Sequence, residues 1–137
     1  MKLNTYLNFN GRCQEAFEFY QKVLGGTIPM MMTHRDSPAS ASVGPEWQDK
    51  IMHTRLIVGD NVLMGSDSPP EYFSAPAGFS VCVVLDSVED AQRVFNAFAE
   101  GGTVGMPFEE TFWAAGFGMV TDKFGIPWMV NAGEKSM

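Results

Sequence analysis

Hydrophobic residues recur at helical spacing in two stretches of the chain, and each stretch ends at a Gly-Gly pair. The first predicts a helix over about Gly11 to Leu24 whose apolar stripe comprises Cys13, Ala16, Phe17, Tyr20, Val23 and Leu24. The second predicts a helix over about Val88 to Glu100, capped by Ser87, that buries Ala91, Val94, Phe95 and Phe98. Gly25 and Gly101 can supply the left-handed conformation that ends a helix.

Strand-like apolar runs precede and follow each predicted helix. In the first half they are Leu3–Asn10, Thr27–His34, Lys50–Val58 and Asn61–Ser66. In the second half they are Phe79–Leu85, Thr103–Glu109, Phe112–Thr121 and Ile126–Asn131. The segment 19–30 also recurs at 95–106, with Phe, Gly-Gly-Thr, a β-branched residue and Met at the same offsets. The predicted fold class is therefore α+β, built from two βαβββ modules.

The predicted organisation is a single domain over residues 1–137. Module one covers about 1–66, a linker covers 67–78 and module two covers about 79–132. A chain of 137 residues with 45% hydrophobic side chains is long enough for one compact domain with its own core. The segment Arg35–Asp49 is rich in Pro, Ser and Ala and lacks periodicity, so it is interpreted as either a lid or a disordered loop.

The charge balance argues against nucleic acid and membrane surfaces as partners. Nine Lys and Arg against sixteen Asp and Glu give a net charge of −7, which repels phosphate backbones and anionic lipid headgroups. No run approaches the roughly 20 apolar residues that cross a bilayer, and the first ten residues lack a signal-peptide core, so a cytoplasmic location is expected. Cys13 and Cys82 form no CxxC motif, and both are expected to be buried small hydrophobic residues.

Alternation along two strands separates an apolar face from a mixed face. Tyr6 and Asn8 lie on the mixed face of the first strand, opposite an apolar face formed by Leu3, Thr5, Leu7 and Phe9. His53 and Arg55 share a face of the strand Lys50–Val58 with two isoleucines. An imidazole and a guanidinium among apolar neighbours are typical of a ligand cavity.

The paired halves and three sequence motifs resemble a known superfamily. The motifs are the opening YLNFNG with AFEFYQKVLGG, the central KIMHTRLIVGDNVLMGSD and the closing EETFWAAGFGMVTDKFGIPWMVN. Together they resemble the PhnB-like branch of the glyoxalase, bleomycin-resistance and extradiol-dioxygenase (vicinal oxygen chelate, VOC) superfamily, over nearly the whole chain. The resemblance implies two modules that curve into an incomplete barrel around a small-molecule cavity, usually in a homodimer, but it does not supply an activity.

The resemblance also implies where a divalent metal would bind, at the first and last strand of each module. In this chain those positions carry Asn4 or Thr5, Met64, Ser80 and Met129. Thioether, amide and hydroxyl groups are poor substitutes for the imidazole and carboxylate ligands of such metals. We therefore expect no metal and no other cofactor.

Several polar residues are candidates for another kind of site. His53 is either a general base or a structural histidine, and Arg55 either clamps an anionic ligand or offsets an acidic neighbour. Asp67 either bonds the linker backbone or touches substrate, whereas His34 and the pair 109–110 are expected to be exposed. The predicted ligand-binding residues are Tyr6, Asn8, His53, Arg55, Met64, Trp113, Phe117 and Met129.

Three functions compete at this stage. The favoured prediction is a metal-free protein that binds a small molecule between its strands. The alternatives are a VOC enzyme, either with unusual metal ligands or with metal-free acid–base chemistry at His53, and a homodimeric structural or partner-binding module. Sequences of this kind are sometimes labelled demethylubiquinone methyltransferases, but the chain has no glycine-rich loop for S-adenosylmethionine after a strand.

Overall fold

Two compact units make up the chain in the computed structural model, which describes residues 1–38 and 40–135. The first unit is Met1–Ser74 and the second is Ala75–Met137. The division falls inside the segment 67–78 that the sequence predicts to be a linker.

Unit 1 contains one helix and a four-stranded sheet. Its elements are β1 (Thr5–Phe9), α1 (Cys13–Leu24), β2 (Thr27–Thr33), β3 (Ile51–Val58) and β4 (Asn61–Asp67). The strand order is β1-β4-β3-β2, in which β1 runs parallel to β4 and the other neighbours are antiparallel. The segment predicted as a lid or disordered loop includes two short 3₁₀ turns, Ser40–Ser42 and Pro45–Trp47.

Unit 2 repeats this topology. Its elements are β5 (Val81–Leu85), α2 (Val88–Ala99), β6 (Thr103–Glu109), β7 (Ala114–Thr121) and β8 (Pro127–Glu134). The strand order is β5-β8-β7-β6, again with one parallel pair, β5 with β8. The predicted α+β class and the βαβββ order of both halves are therefore confirmed.

Each helix covers one face of the sheet in its own unit. The stripe predicted for α1 is buried at Cys13, Ala16, Phe17, Tyr20 and Val23, and that of α2 at Ala91, Val94, Phe95 and Phe98. In unit 2, the rings of Phe98 and Trp128 stack with their centroids 4.3 Å apart. Burial of these aromatic side chains supplies much of the apolar area that stabilises each unit.

The repeated Gly-Gly pair has the same physical cause in both units. Gly25 and Gly101 have positive φ, at 83° and 74°, where a side chain would be strained. At the second glycine, a Cβ on Gly26 would overlap the carbonyl oxygen of Ile57, and one on Gly102 would overlap that of Thr121. Both positions of each pair therefore require glycine.

Three strands begin two residues later than the sequence predicts. The β1 ladder starts at Thr5, opposite Leu63, and Leu3, predicted on the apolar face, is exposed outside it. Phe79 and Phe112 are likewise exposed ahead of β5 and β7. An apolar residue beyond the end of its partner strand has no neighbour to pack against, and alternation alone does not reveal where the partner ends.

Two burial predictions are wrong. Cys82 is exposed, because β5 is an edge strand and Cys82 points away from the face that α2 covers. His34, predicted to be an exposed loop residue, is only 8% exposed. The chain after β2 folds back over it, with the His34 amide donating to the Lys50 carbonyl and the Ser37 amide donating to the His34 carbonyl.

Candidate functional site

Five of the predicted ligand-binding residues lie on one face of the sheet in unit 1. Tyr6 is opposite Met64, and Met64 is opposite Arg55 on the next strand. Residues in register on neighbouring strands share a face, and so do residues two apart on one strand. Asn8 on β1 and His53 on β3 therefore join the same surface.

This surface faces away from helix α1. On β3, Thr54 and Leu56 are fully buried on the side of the helix, so His53 and Arg55 point to the other side. On the edge strand β2, Met32 pairs with His53 and Met30 pairs with Arg55. The surface is called the Arg55 face below, and its members are Tyr6, Asn8, Met30, Met32, His53, Arg55 and Met64.

Tyr6 and His53 form a hydrogen-bonded pair on the Arg55 face. The Tyr6 hydroxyl lies 3.2 Å from Nδ1 of His53, and the two rings are nearly parallel with centroids 5.7 Å apart. The hydroxyl can donate to an unprotonated Nδ1 or accept from a protonated one. The contact orients the imidazole through Nδ1, and Nε2 forms no hydrogen bond with the described residues, a geometry that suits either ligand recognition or proton transfer.

Arg55 carries polar atoms that the fold does not satisfy. Its Nε atom is buried and has no hydrogen-bond partner, and no carboxylate among the side chains that the structure describes forms an ion pair with its guanidinium. Its neighbours in register, Met30 and Met64, offer only thioethers. The described residues therefore include no acidic neighbour whose charge Arg55 offsets, which was the alternative to binding an anionic ligand.

Asp67 has a structural role on the opposite side of the sheet. One carboxylate oxygen accepts from the amides of Gly11 at 2.8 Å and Cys13 at 3.0 Å, and the other accepts from the Ile51 amide at 3.0 Å. It joins the start of α1 and the start of β3 to the end of β4. Burial, and secondarily the charge of Asp67, raises the pKa of the Cys13 thiol far above its usual range.

The other three predicted residues belong to unit 2. Phe117 and Met129 lie on the sheet face away from α2, and the ring of Trp113 packs edge-on against Phe117 with centroids 5.3 Å apart. The register places Cys82, Met129, Met119 and Met106 in one row across this sheet. The row corresponds strand by strand to Tyr6, Met64, Arg55 and Met30 in unit 1.

Asn131 is a candidate that sequence reasoning missed. It lies opposite Phe117, is 8% exposed, and its Oδ1 atom has no hydrogen-bond partner. Alternation from Met129 along the same strand would have placed Asn131 on the mixed face. Its burial depends on packing that the sequence does not show.

Three acidic residues of unit 2 are accounted for by local interactions or exposure. Buried Asp122 accepts from the Phe124 and Ile126 amides and from the Trp128 indole N–H, all within 3.0 Å. Glu109 and Glu110 are exposed, as predicted. The hydrogen bond from Lys135, and then its charge, lowers the pKa of Glu110.

The residues do not form a site for the divalent metal that the VOC resemblance implies. Met64 and Met129 stand at two of the implied positions, and the others carry Thr5 or Asn4 and Ser80. Among the described residues, no group of three or more His, Cys, Asp or Glu side chains could hold a metal ion. Thioethers, an amide and hydroxyls are a donor set that does not fit such an ion.

A protein-family model described as 3-demethylubiquinone-9 3-methyltransferase matches residues 1–131. This chain belongs to that family. Its relatives include protein YjdN of Escherichia coli (strain K12), 36% identical over 139 residues that cover 96% of this chain and 95% of YjdN. The crystal structure of protein PA1353 from Pseudomonas aeruginosa is 48% identical, with a TM-score of 0.90 over 98% of this chain and 99% of that one.

More distant members and neighbours of the family share the fold. A Bacillus cereus structure described as a putative 3-demethylubiquinone-9 3-methyltransferase, PhnB protein, is 24% identical with a TM-score of 0.81, over 97% of this chain and 100% of that one. A glyoxylase/bleomycin resistance protein/dioxygenase domain from Frankia sp. EAN1pec is 12% identical with a TM-score of 0.68, over 98% of each chain. The predicted PhnB-like branch of the VOC superfamily is confirmed. Within the described residues, no helix is long and apolar enough to span a membrane.

The family's description names a methyltransferase, which implies S-adenosylmethionine as cofactor. Cofactors with anionic groups commonly bind where a strand leads into a helix and free amides point outward. In this chain the Asp67 carboxylate accepts from the Gly11 and Cys13 amides at the start of α1, and Ser87 caps α2 by accepting from the Asp90 amide. With these amides already bonded and no glycine-rich loop after a strand, the two junctions do not fit S-adenosylmethionine.

Proposed function

We propose that this protein binds a small organic molecule on the Arg55 face, without the metal of the VOC enzymes. The observation that carries the proposal is the meeting of Tyr6, His53 and Arg55 on a sheet face that no helix of unit 1 covers. Unsatisfied polar atoms beside apolar side chains are the usual lining of a ligand site. VOC proteins commonly bind small molecules, and the neighbours described above support the same class of function.

The methionines of the face suit a ligand of varied shape. Met30, Met32 and Met64 have flexible, polarisable side chains that adapt to an apolar surface. The Tyr6 hydroxyl and the His53 imidazole would fix the orientation of such a ligand through hydrogen bonds. Trp113, Phe117 and Met129 belong to unit 2, and we propose them as apolar ligand contacts of that unit's own sheet.

The proposal is tested by fragment screening with NMR of methyl-labelled methionines. Binding at the Arg55 face should shift the methyl signals of Met30, Met32 and Met64, and leave that of the fully exposed Met1 unchanged. Shifts of Met129 would report binding at the sheet of unit 2, considered separately. A broad library that moves none of the three face signals would refute the proposal.

A second candidate function is metal-free acid–base catalysis, which the Tyr6–His53 contact favours. A histidine oriented by a hydroxyl can remove a proton from a bound ligand. Ligands found by the screen should then exchange an acidic C–H for deuterium in heavy water, and His53→Gln should abolish the exchange while Tyr6→Phe slows it. Ligands that bind but never exchange would leave binding as the function.

We further propose that the chain forms a homodimer. Each sheet has two edge strands, and edge residues of β6 such as Val104 at 44% exposure and Met106 at 39% are apolar. Exposed edges of this kind are usually covered in the native assembly. Sedimentation equilibrium at micromolar concentration should give twice the mass of the 137-residue chain, and a monomer at that concentration would exclude the dimer.

A further inference from the structure

We propose that the ligand of the Arg55 face is an organic carboxylate whose charged group binds the Arg55 guanidinium. The inference rests on the proposed function and specifies the chemical class of the ligand. Its starting point is the buried Nε of Arg55, which has no acceptor in the described residues. Burial of an unpaired cationic donor is unfavourable, and a bound anion would remove that cost.

The surroundings of Arg55 select for negative charge. The four strands of unit 1 contain one carboxylate, Asp67, and three backbone amides occupy it on the side facing the helix. The Arg55 face therefore has a positive charge and no acidic side chain from these strands, in a protein with a net charge of −7. A local positive charge on a protein with a net negative charge favours the binding of an anion beside Arg55.

The donors present suit a carboxylate better than a phosphate. A guanidinium presents parallel N–H groups that match the two oxygens of a carboxylate. Phosphate sites usually add the free amides of a helix N-terminus. The start of α1 offers no such amides at Gly11 and Cys13, since Asp67 accepts from both.

The rest of the ligand is predicted to be apolar and about one or two rings long. Tyr6, Met64, Arg55 and Met30 stand in one row across the sheet. Neighbouring strands are about 4.8 Å apart, so Tyr6 and Arg55 are separated by roughly 10 Å of backbone spacing. A carboxylate at Arg55 would place its apolar body over Met64, with its far end at the Tyr6–His53 pair.

The test uses benzoate and 3-phenylpropanoate as probes, with benzamide and 3-phenylpropanamide as neutral isosteres and inorganic phosphate as a second anion. Affinity is measured by titrating the methyl signals of Met30, Met32 and Met64. We expect the carboxylates to bind at least tenfold more tightly than the amides or phosphate. Arg55→Met should remove that preference, and the matched variant Arg93→Met on the exposed side of α2 should keep it.

Ionic strength provides a measurement that needs no variant. Added salt should weaken carboxylate binding to the wild-type protein and leave amide binding nearly unchanged, because only the former is an ion pair. Amides that bind as tightly as the carboxylates would overturn the inference and leave the proposed function standing. Phosphate that binds more tightly than the carboxylates would also overturn it. If none of the five probes moves the three signals, the carboxylate inference fails, and the broad library then decides whether the proposed function stands.

Discussion

The two cysteines of the chain differ in accessibility although both lie in apolar stretches of sequence. Cys13 is completely buried at the start of α1, whereas Cys82 is exposed on an edge strand. A thiol reacts through its thiolate, so both burial and a raised pKa protect Cys13.

We therefore predict selective modification of Cys82. Iodoacetamide at pH 8 should add one alkyl group to the native protein, and peptide mass spectrometry should locate it at Cys82. Cys82→Ser should remove the reaction until a denaturant is added. Alkylation of Cys13 in the native protein at a comparable rate would contradict the described burial.

Asp67 stabilises unit 1 through three hydrogen bonds to backbone amides. Asp67→Asn replaces one acceptor oxygen with an NH₂ group, which cannot accept from the amides that now bond to the carboxylate. The free energy of unfolding should fall by about 2–3 kcal/mol, the usual cost of leaving such buried donors unpaired. Urea denaturation measures the loss, and Asp60→Asn in an exposed turn serves as a control with little effect.

At the scale of elements, the glycine pair after each helix determines how closely the next strand can approach. Gly25 needs its positive φ but has open space around it, whereas Gly26 has a positive φ and a backbone oxygen where a Cβ would stand. The same pair in unit 2 leads into β6. The repeated Gly-Gly pair therefore reflects the close packing of neighbouring backbone as well as the end of each helix.

Replacing Gly25 or Gly26 with alanine should distinguish the effect of the positive φ from the effect of the steric contact. Gly25→Ala should cost about 1–3 kcal/mol, because Gly25 has φ 83° and ψ −165°, a backbone region that residues with a Cβ rarely adopt. Gly26→Ala should cost more, because the strand pairing of β2 with β3 must also shift. Thermal or urea unfolding of the two variants gives the comparison, and equal losses would show that the steric contact is unimportant.

Sequence patterns predicted the elements well where a strand is central in its sheet. On β3, alternation correctly separated buried Thr54 and Leu56 from His53 and Arg55 because both faces have defined neighbours. On the edge strand β5 the same kind of apolar run misled the prediction for Cys82, since sequence does not reveal which strand is outermost. The burial of His34 and Asn131 depends on contacts distant in sequence or on loop conformation, which periodicity does not encode.

At the scale of the whole molecule, the proposed dimer has a thermodynamic consequence. If association stabilises the folded state, the melting temperature should rise with protein concentration. We predict an increase of a few degrees between about 1 and 100 μM, measured by differential scanning calorimetry. A melting temperature independent of concentration, together with a monomeric mass, would remove the dimer from the proposal.

The two sheets share the same strand arrangement, but the side chains in their corresponding rows differ. Where unit 1 carries Tyr6 and Arg55, unit 2 carries Cys82 and Met119 at the corresponding register positions, with methionines at the remaining two positions of both rows. One backbone pattern therefore supports a charged surface in one copy and an uncharged one in the other. If Arg55 binds a carboxylate as proposed, one carboxylate is expected for each chain, and Met119→Arg would place a second guanidinium at the corresponding position of unit 2.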